Sequence, residues 1–535
     1  MSTFNELIDF TRSTTGTYLD SVVYSDELVT NGTFDNNIDG WTTGSNVTSS
    51  YYSGTAQLAL GGALTWTYTN WFSQNVFETG KLYFVTFDAT YVSGGSLQAG
   101  YGYDLEVTAS SSGTYSFIVN PDIGAGSLAQ REQLTFGGAS GAVWRIDNVS
   151  VKEVIGGQVS GTPLLRTAAI NEPRLEYDAQ GNALGLLIEE ARTNLLAYSE
   201  EFGNWTGQNV SISSNQTAAP DGTNTADKVE EQNTNNTFHF VTRSLWESSA
   251  GVKTFSAYVK ADERSFAGLT LRVNGGSDRL AVLFNLTSGT VSDTLTAGSP
   301  TQTSSSIQDV GNGWYRCSIS AYHSAGNVIA LLSPHDDGTS STINLDYAGI
   351  VGHGIYIWGA QAEAGAFPTS YIPTTGSAVT RAKDVASASS FKYHQNSTQG
   401  TLYVAFTPNV DSSNFLRVAE FGYSNLRFSI QIVNGAIRHY TRNAANNTNN
   451  VIGTPYLYTL NSTQKTAFTV SAGYAAQSTN GTNAQSETDV LGLNESNVGF
   501  YIGRSGHLAQ LNGHIKQIQY YPKRLSNAQL QALTS

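Results

Sequence analysis

Apolar and polar residues alternate with a period of two along most of the chain. KLYFVTFDATYV (81–92), VKTFSAYVKA (252–261), WYRCSISAYH (314–323) and TLYVAFTP (401–408) are typical. Successive side chains of a strand point to opposite faces, so each run predicts a half-buried strand. Gly, Asn, Ser and Asp separate the runs, which is turn chemistry. The helical period is rare: LSNAQLQALT (525–534) predicts a helix with Ser526 or Asn527 as N-cap, and LLIEEARTNLL (186–196) fits either a short helix or an extended connector. Many short strands closed by Gly-rich turns predict an all-β chain of tandem β-sandwich or jelly-roll domains.

An internal repeat sets the domain plan. ELVTNGTFDNNIDGWTTGSNVTSS (27–50) and NLLAYSEEFGNWTGQNVSISSN (194–215) each place an acidic and aromatic turn just before a Gly-containing turn and a tryptophan, Trp41 or Trp205. Each copy continues through a long alternating strand and closes on a Trp-bearing one, VWRIDNVSVKEV (143–154) or IYIWGAQAEAG (355–365). The plan is an N-terminal attachment segment (1–26), a first sandwich (27–155), a connector (156–194), a second sandwich (195–366), a linker (367–399) with three prolines in FPTSYIPTTGSAVTRAKD, and a third sandwich (400–535). DFTRSTTGTYLDS (9–21) and residues 162–196 read as two halves of one non-repeated segment, with the first sandwich inserted between them. Insertion is tolerated where the ends of the inserted domain lie close together, so residues 9–21 are expected to touch residues 162–190.

Composition narrows the function classes. Of 535 residues, 39% are hydrophobic and 11% aromatic but only 13% charged, and the net charge is −14. The aromatics suffice for several packed cores, which a disordered chain lacks. Nucleic-acid binders concentrate Lys and Arg, and no basic run occurs here, so no nucleic-acid partner is expected. No apolar run approaches the roughly 20 residues that span a bilayer, so no membrane insertion is expected. MSTFNELIDFTRS lacks the cationic and apolar parts of a secretion signal. Cys317 is the only cysteine, which excludes an intrachain disulfide, and in WYRCSIS it reads as a core residue.

Catalytic chemistry finds little footing. Glycosidases need two carboxylates about 5–5.5 Å or roughly 6.5–9.5 Å apart. Asp104 and Glu106 share a strand face but lack aromatic enclosure, while Glu189 and Glu190 are adjacent and point apart on an extended chain. The expectation is no catalytic residue and no enzyme. His335-Asp336-Asp337 offers metal-ligand atoms but reads more simply as a turn. A sugar, by contrast, asks for aromatic faces beside planar polar groups. Trp71, Tyr101 and Tyr103 are the candidates for such a carbohydrate platform, or for packing on a partner subunit; Trp41, Trp205, Trp314 and Trp358 read as core.

Several of these segments resemble a known group. FTRSTTGTYLDS, GLLIEEARTNLLAYSEEFGNW, VGNGWYRCSIS and GIYIWGAQAEAGAFPTSYIPTTGSAVTRAKD are similar to segments of tailed-bacteriophage virion surface proteins, mainly of tail-fibre type. LVTNGTFDNNIDGW with WRIDNVSV resembles the start and end of a galactose-binding-type carbohydrate-binding module, and the last module, from GTLYVAFTP to LNGHIKQIQYYPKRLSNAQLQAL, resembles a laminin-G or concanavalin-like sandwich. The resemblance implies two galactose-binding-like sandwiches and one laminin-G-like one, in a virion protein released by lysis. Its expected work is recognition of host-surface glycans as a homo-oligomer, a trimer, attached to other virion proteins through the N-terminal segment. The alternative is a capsid decoration or head-fibre protein. The jelly-roll resemblance also implies a structural Ca²⁺ held by Asp147, with Asp35 from the opening turn; the alternative reading of Asp147 is a carboxylate that caps a turn.

Overall fold

In the computed structural model, the structure describes residues 9–20, 27–45, 47–61, 71–79, 81, 83–101, 104–119, 121, 131–153, 164–234, 237–245, 249–273, 278–298, 300–336, 346–388, 399–410, 416–423, 426–443, 448–488, 500–503 and 510–535. Antiparallel sheets dominate them, and they stack in pairs as three β-sandwiches.

The alternation seen in the sequence is the alternation of burial. In Tyr83–Ser93, the side chains of Tyr83, Val85, Phe87 and Ala89 turn inward and those between them outward. They meet Phe72, Leu134 and Phe136 of the facing sheet and close the first core around Trp144. The second core gathers Phe255, Leu269, Phe284 and Ile319 from two six-stranded sheets, with Cys317 fully buried among them. The sequence placed Trp41, Trp205, Trp314 and Trp358 in the interior, and all four are buried.

The third sandwich is assembled from distant parts of the chain. One of its sheets runs from Leu175–Tyr177 and Ala183–Ile188 through Gly513–Tyr521 and Gln399–Pro408 to Gln485–Thr488. The other starts at Asp9–Thr11, which pairs Val385–Ala388 in the register Asp9↔Ser387. Strands from the N-terminal stretch and from the connector are thus sheet members of this sandwich, with Leu186 and Ile188 in its core.

The non-repeated segment also touches the second sandwich. Gly16–Asp20 pairs Leu164–Ala168, with Asp20 opposite Leu164, so the two ends of the first-sandwich insertion are neighbours. The expected contact between residues 9–21 and 162–190 is present. Leu19 and Leu165 of this hairpin cover Trp314, Trp358 and Tyr371 on the outside of a second-sandwich sheet.

The 186–196 run is extended, not helical. Ile188 pairs Gly513, and Arg192–Asn194 pairs Val379–Arg381, so both of its ends are held by strand ladders. Residues 367–384 are extended as their prolines suggest, but they are packed in: Tyr371, Ile372 and Thr374 are buried. The C-terminal helix, Asn527–Thr534, starts at Ser526, whose side chain accepts from the Gln529 amide in a capping box. Leu530 docks it on Tyr403 and Ala467.

A buried ion network ties these pieces together. Arg12, Arg174 and Arg381 meet Glu189 and Asp384, and all five are buried. Arg12 lies 3.1 Å from Asp384, Arg174 lies 2.8 Å from Glu189, and Arg381 lies 3.3 Å from Glu189. Arg174 also donates to Asp384. Ser370 gives Glu189 its amide at 2.8 Å and its hydroxyl at 2.7 Å, and the Glu189 amide donates to Asp384 at 2.8 Å. Burial alone would raise the Glu189 pKa, but Arg381, Arg174 and Ser370 outweigh it and hold the carboxyl below its usual range.

Candidate functional site

The third sandwich carries a face whose composition suits neither a core nor an ordinary solvated surface. Four strands contribute: Phe500–Ile502, Leu416–Tyr423, Leu426–Val433 and Ala436–Asn443. The last two form a hairpin turning at Asn434-Gly435, both in the left-handed region (φ 49° and 71°) that a two-residue hairpin turn requires. On the core side stand Phe428, Ile430, Ile432 and Ile437, with His439 against Phe468. His439 Nε2 sits 2.7 Å from Thr466 Oγ1, and burial pushes its pKa down to about 3, so the imidazole stays neutral.

The opposite side is polar. Tyr501, Glu420, Ser429 and Tyr440 lie directly across from one another in register, so they share one face. Arg417, Gln431 and Arg438 form the adjoining row, brought level with it by a bulge between Arg417 and Ala419. The members lock each other. Arg417 Nε lies 3.2 Å from Glu420 Oε2, Gln431 Nε2 donates to Ser429 Oγ at 2.6 Å, and Arg417 Nη1 donates to the same oxygen at 3.3 Å. Arg417, Glu420, Ser429 and Gln431 are buried, while Arg438, Tyr440 and Tyr501 are half-buried. Arg438 Nε has no hydrogen-bond partner among the described residues. Of these groups the half-buried Arg438, Tyr440 and Tyr501 are open enough to meet a polyhydroxylated ligand with an apolar face, and the buried Arg417, Glu420, Ser429 and Gln431 make the polar network beside them.

The residues singled out from sequence are placed otherwise. Trp71 and Tyr101 are buried and offer no open ring face. The Trp71 indole packs against Gly137, where an added Cβ would fall 1.0 Å from Cζ3. Tyr101 meets Phe77 edge-on at 6.2 Å within the first core. Tyr103 lies outside the described residues, so the platform expected of Trp71, Tyr101 and Tyr103 is not formed by the two that are described. Glu106 falls in a bulge between Leu105 and Val107, and the Asp104 side chain is outside the described set. Glu189 and Glu190 do diverge, the first into the ion network and the second toward Arg192 at 2.5 Å.

Asp147 and Asp35 are near enough to interact. Burial chiefly raises the Asp147 pKa, the Asn148 amide opposes this, and the charges of Asp88 and Asp35 add to the rise. All three carboxylates are engaged by protein donors: Asp147 by the Asn148 amide at 2.8 Å, Asp88 by Thr114 at 2.5 Å and Asn148 Nδ2 at 2.8 Å, and Asp35 by Thr33 at 3.0 Å. Calcium takes six to eight oxygens, and among the described residues no three His, Cys, Asp or Glu side chains are arranged to hold a metal ion. Asp147 and Asp35 are thus brought near each other without a third ligating side chain of these types arranged with them among the described residues.

The polar face was missed because alternation reports only that one side of a strand is polar. The available signal was Ser429, Gln431, Arg438 and Tyr440 alternating with Ile430, Ile432, Ile437 and His439 on either side of the Asn434-Gly435 turn.

No protein-family model and no curated protein matches this chain. Solved structures similar to parts of it include the CBM22-1-CBM22-2 tandem domain of Paenibacillus barcinonensis Xyn10C (12% identity, TM-score 0.26, covering 65% of this chain and 100% of that one). Others are domains LG4-5 of the mouse laminin alpha1 chain (9%, TM-score 0.18, 55% and 92%) and the CBM40 of Ruminococcus gnavus IT-sialidase (18%, TM-score 0.23, 26% and 83%). Scores this low carry no argument, and the sandwich architecture rests on the sheets described above.

Proposed function

We propose that this chain is a glycan-binding surface protein of a tailed-phage virion, working as a tail fibre or similar appendage. The observation that carries the glycan reading is the locked row Tyr501–Glu420–Ser429–Tyr440 beside Arg417, Gln431 and Arg438. Binding is favoured over hydrolysis because that row holds one carboxylate where glycosidases need two. The virion reading rests on the segments that resemble phage surface proteins, which here build the junction between the second and third sandwiches. An oligomer, expected as a trimer, would turn weak single-site affinity into stable attachment.

The test is adsorption of the labelled full chain to bacterial cells, beside binding to purified capsids. Expected is cell adsorption competed by surface polysaccharide and reduced at least about tenfold by Arg438→Ala or Tyr440→Ala. Saturable capsid binding without cell adsorption would overturn the adhesin reading in favour of a capsid-decorating role.

A further inference from the structure

The first sandwich carries a held guanidinium with no counter-charge among the described residues. On the outer face of its five-stranded sheet, Ser50, Gln57, Arg145 and Thr90 lie across from one another in register. The Arg145 guanidinium carbon stands 3.8 Å from the centroid of the Tyr52 ring, and Nε donates to Gln57 Oε1 at 3.1 Å. Ring and amide thus fix the plane of the fork from its stem side. The terminal nitrogens donate to no residue in the described set, and Arg145 makes no ion pair there. Asp147 is two residues further along the same face, but its carboxylate accepts from the Asn148 amide instead. In a chain of net charge −14, a positive group left unpaired beside an acidic residue is notable. Tyr52 remains 47% exposed, which leaves aromatic surface at the edge of the fork.

A planar guanidinium with two free terminal nitrogens matches a carboxylate in bidentate geometry. The exposed tyrosine and the neighbouring Ser50, Gln57 and Thr90 match a ring bearing C–H and hydroxyl groups. We propose that Arg145 and Tyr52 form a second binding site, for a carboxylated sugar such as a uronate or ulosonate unit, with Arg145 reading the carboxylate and Tyr52 the apolar ring face. The site takes its ligand class from the glycan-binding reading but is independent of the third-sandwich face. Screening confines the field of the acidic chain to roughly 8 Å at physiological salt, so net charge does not forbid a local anion site.

The experiment is titration of the full chain with uronate- and sialate-containing oligosaccharides, each paired with its carboxyl methyl ester, by calorimetry. Expected is binding of at least one carboxylated member, weakened at least about tenfold by esterification and by Arg145→Gln, and unchanged by Arg438→Ala. Tyr52→Ala, at an exposed position, should weaken it as well while Tyr52→Phe restores it, which covers the case of a misfolded Arg145 variant. No binding by any carboxylated member, equal binding of the esters, or full affinity in Arg145→Gln would overturn the site. Affinity lost only with Arg438→Ala would place the ligand on the third sandwich, leaving the proposed function standing and this site refuted.

Discussion

Replacing Asp384 by Ala should cost the full chain about 3–5 kcal/mol, the range for removing one partner of a buried ion pair. The variant leaves Arg12, Arg174 and Arg381 buried against Glu189 alone. It also strips acceptors from the Glu189 amide and the Arg12 and Arg174 guanidiniums. Because the five residues come from three separate stretches of chain, the loss should appear as detachment of the second sandwich from the third, read by limited proteolysis near residues 370–384 together with urea unfolding. A loss below about 1 kcal/mol, the scale of an ordinary surface pair, would mean that the network is effectively solvated. The pH dependence has a definite sign. The folded Glu189 pKa is depressed, so its contribution is complete above the ordinary carboxylate value near ~4.3 and disappears as pH falls from there toward the folded value. Stability from this group should therefore be flat from neutral pH to about 5 and decline in stronger acid.

Trp144→Ala should cost about 3–5 kcal/mol, but within the first sandwich alone. The indole is fully buried, meets Tyr91 edge-on at 5.2 Å and donates from Nε1 to the Gly95 carbonyl at 2.9 Å. Its loss leaves a cavity and an unsatisfied carbonyl. The insertion leaves and re-enters the chain at the Asp20–Leu164 pair, so unfolding it need not open the hairpin beneath. Calorimetry of the variant should show one transition moved down and the rest in place. Movement of every transition together would show that the insertion and its host fold as one unit.

Much of the fold was written locally. Inward Val85 and Phe87, the Asn434-Gly435 turn and the Ser526 cap each follow from a few adjacent residues. What could not be read locally is which strands share a sheet. Asp9 pairs Ser387 and Ile188 pairs Gly513, and no short-range pattern announces partners hundreds of residues apart. The same distance disguised the charges of FTRS, EPRLEY and IEEART: each looks like solvated surface alone, and only their convergence makes them an interior. For the candidate site, aromatic count misled where Gly137 makes room to bury Trp71. Arg438 and Tyr440, on strands that read simply as alternating, were passed over because polarity on one face is the same signal whether that face meets water or a ligand.

The pairing of Asp9 with Ser387 has a consequence for how the protein is made. At 5–20 residues per second, the ribosome needs roughly 20–80 s after residue 9 to deliver its strand partner. Two whole sandwiches can fold in that interval while the earliest strand waits. Strand Asp9–Thr11 is thus made long before it can be placed, and Arg12 finds Asp384 only then. A polypeptide cut short before residue 384 would carry folded sandwiches but a charged, unclosed junction. The junction thereby distinguishes chains that extend past residue 384 from those that stop before it.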